Sequence, residues 1–261
     1  MTVFAACAIA GAAVAVDSNI VGYVTKATDA NKMDILGVPF QNVGDTVINI
    51  QDVTPGVGFS DGGDLFRLWD SVAAKYVSAY YFGDTYAFDT GLGDIDYGTD
   101  LGPGWADGET QERLVFTIEP GQGFWLTTRN NASVTIAGEV LAATDNEVST
   151  QANKMDILCN TFPVDANIQD VTPVSGFSDG GDLLRIWDPV AAKYVSAYYF
   201  GDTYAFDIGL GDIDYGNDLG PGWADGETQE RLDFQILAGQ GFWLTTRNNA
   251  VVSFPAPAGI L

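Results

Sequence analysis

The sequence predicts an all-β protein of two tandem domains, each a β sandwich or jelly roll, that arose by internal duplication. Residues 178–250 repeat residues 60–132 at an offset of 118, and only nine of these 73 positions differ. Short runs rich in β-branched and aromatic residues alternate with Asp-Gly, Pro-Gly and Gly-Gly turns. No stretch has a sustained helical period of apolar residues. A chain of 261 residues accommodates two such domains, each able to bury its own core.

The domain boundaries follow from a longer, less perfect repeat around this block. The hexapeptide NKMDIL occurs at 31–36 and again at 153–158. The segment GEVLAATD (138–145) resembles GYVTKATD (22–29), so we expect each domain to be preceded by its own leading strand. The predicted division is an N-terminal leading strand at 16–30, a first β domain at 31–137, a connecting strand or linker at 138–152 and a second β domain at 153–261.

The first 15 residues, MTVFAACAIAGAAVA, are small and apolar and end in Ala-Val-Ala. This pattern is typical of the apolar region and cleavage site of a secretory signal peptide. Basic residues do not precede it, so the alternative is an apolar donor strand that remains in the mature protein. Because the segment is short and weakly apolar, we expect no membrane span. The predicted location is therefore outside the cell or at its surface.

Five segments of the repeated block favour strand formation. The two copies test one of them: Leu114, Phe116 and Ile118 keep apolar counterparts in the second copy, whereas Val115 and Thr117 are replaced by polar residues. This alternation predicts a strand with one buried and one solvated face. The five predicted strands of the first copy lie at 65–69, 75–82, 85–88, 113–118 and 122–128.

The composition excludes several classes of function. The chain has 35 acidic and 11 basic residues, a net charge of −24, so it would be repelled by nucleic acid and by anionic membranes. It contains no histidine, which removes the usual general base, the usual zinc ligand and any Ser-His or Cys-His pair. The two cysteines are Cys7 and Cys159, and removal of a leader would leave Cys159 without a partner.

An acidic, glycine-rich segment stands at the centre of each copy, GLGDIDYGTDLGPGWADGE at 91–109 and its counterpart at 209–227. Alternating Asp residues with intervening Gly can direct several carboxylates at one point, and Ca²⁺ takes six to eight oxygen ligands in flexible geometry. The alternative is that these side chains cap backbone amides in turns. The predicted calcium ligands are Asp94, Asp96, Asp100, Asp107, Asp212, Asp214, Asp218 and Asp225, with Asp61, Asp64, Asp84, Asp89, Asp179, Asp182, Asp202 and Asp207 as further ligands.

Catalysis is not expected. Glycosidases need a defined pair of acids, one with a raised pKa, and nothing marks such a pair here. Two nearly identical copies would also imply two active sites in one chain. The aromatic residues allow a sugar-binding face instead, although aromatic residues of this kind also form the core of β domains. The aromatic candidates for that face are Tyr80, Tyr81, Tyr86, Tyr97 and Trp105.

Two motifs carry a resemblance to known proteins. The segment NIVGYV (19–24) and the motif PGQGFWL (120–126, with AGQGFWL at 238–244) resemble those of a group of secreted bacterial β proteins without assigned activity. The tandem, acidic-loop arrangement also resembles subunits of bacterial extracellular fibrils joined by donor-strand exchange. That resemblance implies a head-to-tail homopolymer in which the N-terminal strand of one subunit completes the sheet of its neighbour. The strand Ile20–Thr25 either serves as that donor or completes its own domain.

The expected function is therefore a structural subunit of an extracellular filament or surface assembly, stabilised by Ca²⁺ and linked by strand exchange. The alternative is a secreted carbohydrate-binding or adhesive module, with glycans as partners.

Overall fold

A computed structural model describes residues 21–42, 48–70, 73, 75–88, 98–141, 146–206 and 216–257. The described chain is all-β, as predicted; its helical content is two single 3₁₀ turns, Ile50–Asp52 and Ile168–Asp170. No described helix has the length and apolar character that a membrane crossing requires. The predicted leader or donor segment at 1–15 lies outside the described residues.

The described strands alternate with short turns along the whole chain. In the first half they are β1 (Val21–Thr28), β2 (Met33–Gly37), β3 (Ile48–Asn49), β4 (Val53–Pro55), β5 (Leu65–Asp70), β6 (Lys75–Ala87), β7 (Thr99–Ala106), β8 (Thr117–Ile118), β9 (Gly123–Thr127) and β10 (Ala132–Glu139). In the second half they are β11 (Glu147–Thr150), β12 (Met155–Cys159), β13 (Ala166–Asn167), β14 (Thr172–Ser175), β15 (Leu183–Asp188), β16 (Lys193–Ala205), β17 (Asn217–Ala224), β18 (Gln235–Ile236), β19 (Gly241–Thr245) and β20 (Ala250–Ser253).

The two halves have the same strand orders. Each contains a five-stranded antiparallel sheet, β2-β9-β5-β6-β7 in the first half and β12-β19-β15-β16-β17 in the second. Each also contains a three-stranded sheet, β1-β10-β4 or β11-β20-β14, and a two-stranded ribbon, β3-β8 or β13-β18.

The two larger sheets of a half pack face to face as a sandwich. In the first half, Val24 and Ile136 from the three-stranded sheet share one buried cluster with Phe66, Trp105 and Phe124 from the five-stranded sheet. Burying each large apolar side chain contributes about 1.5–3 kcal/mol, so this shared cluster holds the sheets together. A separate cluster fills the second half.

Trp105 lies in the core and does not belong to a sugar-binding face. Its side chain is fully buried, and its indole N–H donates to the carbonyl of Val53 at 2.9 Å. The side-chain amide of Gln51 donates to the carbonyls of Trp105 and Leu114. It thereby links β7 to the 3₁₀ turn Ile50–Asp52 and to the segment that precedes β8. The acidic segment therefore contains a strand, β7, which was not predicted because its Gly and Pro residues are typical of turns.

Two further local predictions need correction. The segments predicted at 75–82 and 85–88 belong to one continuous strand, β6, which ends at Ala87. Its register with β7 shifts between Phe82 and Thr85 and again between Thr85 and Tyr86. At 113–118, burial alternates as predicted, with Val115 and Thr117 exposed, but only Thr117–Ile118 is strand. The two-stranded ribbon is that short because the preceding residues bond instead to β7 and to Tyr86.

The leading strands differ from those inferred by alignment. Gly22 and Gly138 do not correspond to each other; they are paired across β1 and β10. Thr28 and Thr150 occupy the corresponding positions, because they pair with Ala132 and Ala250. The strand that leads the second half is therefore β11, which starts at Glu147 and follows the GEVLAATD segment.

The halves pack against each other about an approximate twofold axis. The amide of Gly37 donates to the carbonyl of Gly239 at 3.1 Å, and the amide of Cys159 donates to the carbonyl of Gly121 at 2.8 Å. Gly37 corresponds to Cys159, and Gly239 corresponds to Gly121. Each bond therefore becomes the other when the two halves are exchanged, as a twofold relation requires. Between them lies a separate apolar cluster of Ile35, Trp125, Ile157 and Trp243.

Candidate functional site

Asp64, one of the predicted calcium ligands, is fully buried, and its carboxylate accepts hydrogen bonds from the backbone. Oδ2 accepts the amide of Ser60 at 2.5 Å, and Oδ1 accepts the amide of Arg129 at 2.7 Å. Asp182 repeats both bonds, from the amides of Ser178 at 2.6 Å and Arg247 at 2.8 Å. These two carboxylates fasten a turn to the strand end beside it.

Asp61, Asp100 and Asp107 also accept backbone amides. Asp61 Oδ1 accepts from Gly83 at 2.6 Å, and Asp100 Oδ1 accepts from Gly102 at 2.7 Å. Asp107 Oδ1 accepts the amides of Thr110 and Glu109, and these hydrogen bonds lower the pKa of Asp107. The second half repeats these bonds at Asp179, Asp218 and Asp225.

An arginine fixes the backbone of the acidic segment within β7. The guanidinium of Arg113 donates to the carbonyls of Leu101, Gly102 and Pro103 at 2.8–3.1 Å, and its Nε donates to Thr85 Oγ1 at 2.8 Å. Arg231 occupies the same place in the second half. Sequence reasoning missed this role, because the two residues lie outside the Asp-Gly pattern.

Among the described residues, no group of three or more acidic or thiol side chains is placed to hold a metal ion. Asp84 and Asp202 are exposed. The other predicted ligands, Asp89, Asp94, Asp96, Asp207, Asp212 and Asp214, lie outside the described residues, and calcium binding stays a prediction.

The structure brings together a different set of residues, on the outer face of each five-stranded sheet. In the first half Trp69, Tyr76 and Trp125 form a row of three rings, with centroids 4.9 Å and 4.8 Å apart along the row. Trp187, Tyr194 and Trp243 form the corresponding row, with spacings of 5.0 Å and 4.9 Å. We call each row an aromatic ladder. Each ladder starts in the apolar cluster between the halves and extends outward to a partly exposed Trp.

A groove runs beside each ladder, and both halves contribute to its walls. The Trp69 groove has a volume of about 670 Å³ and lies between Trp69 and Gln122 of the first half and Asp156 of the second. The Trp187 groove, of about 410 Å³, lies between Trp187 and Tyr194 of the second half and Lys26 and Asp34 of the first. Both volumes are in the range of small-molecule sites.

Each groove contains a half-buried carboxyl group supplied by the opposite half. Asp34 lines the Trp187 groove and Asp156 lines the Trp69 groove. Burial raises the pKa of each, although each also accepts a backbone amide, from Asp29 at 3.2 Å and from Gln151 at 2.8 Å. The pKa of Tyr194 is raised by burial and by the negative charge of Asp34, which places this acid beside the ladder of the other half.

The inner end of each ladder has an unsatisfied donor. The indole N–H groups of Trp125 and Trp243 are buried and have no hydrogen-bond partner within the described part of the chain. Trp125 is only 8% exposed. Leaving such a donor buried costs about 1–3 kcal/mol, so apolar packing between the halves must offset it.

Sequence reasoning did not find this site. An available signal was the repeated Asp in NKMDIL, an acid next to three apolar residues of a strand. Another was the Gln of the repeated GQGFWL motif: Gln122 and Gln240 donate to the carbonyls of Trp69 and Trp187 and hold the outer ends of the ladders. Comparison with protein-family models, curated proteins and solved structures gave no significant match.

Proposed function

We propose that the chain is a secreted, non-catalytic structural subunit of an extracellular filament or surface assembly, linked head to tail by strand exchange. The observation that supports this proposal is the position of β1. It pairs with β10 over eight residues at the edge of its sheet, and its other edge has no partner strand among the described residues. Val21 and Tyr23 are 61% and 75% exposed, so apolar side chains of this edge strand are uncovered.

An edge strand can be exchanged at low cost to the rest of the domain. β1 supplies Val24 and Thr28 to the interior but takes no part in the five-stranded sheet. The β1 of another copy can make the same bonds to β10, and the released strand can continue to the next copy. A contact of this kind that does not close on itself produces a filament.

Calcium remains part of this proposal. The backbone amides that donate to Asp61, Asp100 and Asp107 all bond to Oδ1, so each Oδ2 is available to a cation among the described residues. Calcium would cross-link loops that the backbone amides already shape. Ca²⁺ removal with a chelator should lower Tm and shorten filaments in negative-stain images. Unchanged Tm and filaments would reject the calcium part while leaving strand exchange standing.

A disulfide trap tests the strand exchange. Thr25 and Thr135 are register partners whose hydroxyl oxygens lie 3.0 Å apart, so T25C/T135C places two cysteines in reach. The C7S background removes one native thiol, and Cys159 is buried. Oxidised filaments should give a ladder of covalent oligomers on a denaturing gel. Oxidised protein that runs only as an internally bridged monomer would reject strand exchange, and T25C alone controls for random cross-linking.

A second candidate function, a carbohydrate-binding or adhesive module, is favoured by the two grooves. Flat aromatic rings next to a carboxyl group offer an apolar platform for the C–H face of a sugar and an acceptor for its hydroxyls. A glycan array should show binding that W69A and W187A each reduce. Binding that neither variant alters would separate glycan recognition from the grooves.

A further inference from the structure

The two grooves share a framework but differ in charge. The charged residues that line the Trp69 groove are all acidic: Asp70, Glu119, Glu147 and Asp156. Those that line the Trp187 groove are two acids and two bases: Lys26, Asp29, Lys32 and Asp34. The lining charges would therefore repel an anion from the Trp69 groove, whereas those of the Trp187 groove balance.

Lys26 is the group that makes this difference. Lys32 is already paired with Asp29 at 2.8 Å, whereas the Lys26 ammonium forms no ion pair with any residue that the structure describes. Lys26 is half-buried, and burial lowers its pKa, which the negative charge of Asp165 partly reverses. A half-buried ammonium without a paired carboxylate favours an anionic partner.

The repeat supplies a natural comparison at this position. Lys26 pairs with Val134 and Val148 pairs with Val252, so Val148 occupies the position of Lys26 in the other half. Nearby, Leu237 in the Trp187 groove corresponds to Glu119 in the Trp69 groove. Relative to the Trp69 groove, Lys26 adds a positive charge and Leu237 removes a negative one, so both differences favour an anion in the Trp187 groove. The chain as a whole is acidic.

From these observations we infer that the Trp187 groove binds an anionic saccharide, a uronate-containing glycan, with its ring on Trp187 and its carboxylate on Lys26. This inference rests on the second candidate function above. The net charge of −24 acts mainly at a distance and is screened beyond about 10 Å at 0.1 M salt, whereas Lys26 acts at contact. The Trp69 groove, with four acids, takes neutral saccharides only.

Calorimetric titration with matched pairs of oligosaccharides tests the inference. Oligomers of glucose, galactose and mannose are each compared with the corresponding uronate oligomer. For the sugar that binds, we expect two neutral molecules per chain but one uronate molecule, bound more tightly. K26V, which copies the valine of the other half, should weaken uronate binding at least tenfold and change neutral binding less than twofold.

Variants at matching positions locate the site. W187A should abolish uronate binding, and W69A should leave it intact, because Trp187 lines the groove that contains Lys26 and Trp69 lines the other one. If neutral oligomers bind but uronates bind no more tightly, or if W69A and W187A act alike, the inference is wrong and the adhesive proposal stands. If no oligomer of either kind binds, both are wrong.

Discussion

Gly37 and Cys159 occupy corresponding positions of the two halves and meet at the axis between them. A Cβ atom built on Gly37 would lie 2.2 Å from the Cβ of Cys159 and 2.4 Å from its Sγ. A residue close to a twofold axis faces its own counterpart, so two side chains cannot both fit where the backbones come this close. The difference between Gly and Cys at this position is therefore a consequence of how the halves pack.

Replacing this glycine should loosen the contact between the halves. We expect G37A to destabilise the protein by about 1–3 kcal/mol, the usual cost of overpacking. Because the clash is with the side chain of Cys159, the double variant G37A/C159G should recover most of the loss. Denaturant unfolding of the four proteins of this cycle gives the coupling between the two sites.

A glycine in ordinary surroundings is the control for this cycle. A Cβ on Gly83 would meet only Asp61 Oδ1, at 3.7 Å, so G83A should cost much less than G37A. If C159G fails to rescue G37A, the halves do not meet at these residues.

The thiol of Cys159 should be inert in the native protein. It is fully buried, and burial raises the pKa of the thiol far above its ordinary value, so the reactive thiolate does not form at neutral pH. A thiol reagent should modify Cys159 only as fast as the protein unfolds. With Cys7 replaced by Ser, reaction that is rapid in buffer and unaffected by denaturant would show that the halves separate readily.

The fold was predictable where the pattern is local, and the groove site was not. Leu114, Phe116 and Ile118 kept their apolar character between copies, and this alternation is present in the burial. The Asp-Gly turns were equally visible, but the same pattern serves amide capping and metal binding, so Asp64 could not be assigned from sequence. The grooves arise from packing between distant segments, and no local pattern places Asp34 beside Tyr194.

Asp64 should stabilise the fold without calcium. Its two oxygens accept two backbone amides, and D64N would replace one oxygen by an NH₂ group that faces a donor. A hydrogen bond to a charged group contributes about 1.5–3 kcal/mol. We therefore expect D64N to lower the free energy of unfolding by at least about 1.5 kcal/mol. The loss should be the same with Ca²⁺ or chelator, whereas D84N, at an exposed position, should be nearly neutral. A loss confined to Ca²⁺-containing buffer would instead make Asp64 a ligand.

The carboxyl groups of the grooves should give stability an unusual dependence on pH. Burial raises the pKa of Asp34 and Asp156 above the ordinary 3.8, so the folded protein binds more protons than the unfolded chain as each group titrates. Their contribution is therefore lost as pH rises from that ordinary value through the raised folded pKa. D34N/D156N, which stays neutral, should match the native protein in acid and exceed its stability at neutral pH.

D107N supplies the control of opposite sign. Backbone hydrogen bonds lower the pKa of Asp107, so its contribution is present above the ordinary value and is lost as pH falls through the lowered folded pKa. D107N should therefore be slightly less stable than the native protein at neutral pH and converge with it in acid. Thermal unfolding in chelator across this pH range measures both effects free of any calcium bound at Asp107, and parallel pH profiles for the two variants would contradict the assigned environments.

Two buried tryptophans of the first half should respond differently to loss of the indole N–H. Trp105 donates to the carbonyl of Val53, so W105F leaves a buried acceptor unpaired at a cost of about 1–3 kcal/mol, in addition to the lost volume. Trp125 has no acceptor within the described residues, so W125F loses volume but no hydrogen bond. We expect W125F to be the milder variant by at least about 1 kcal/mol in denaturant unfolding followed by circular dichroism.

The corresponding pair in the second half, W223F and W243F, should repeat the difference. Trp223 donates to the carbonyl of Val171 at 2.7 Å, whereas the indole N–H of Trp243 has no acceptor within the described residues. Equal losses in both pairs would mean that the ladder tryptophans make a hydrogen bond in solution, and their N–H groups would then belong to the binding chemistry of the grooves.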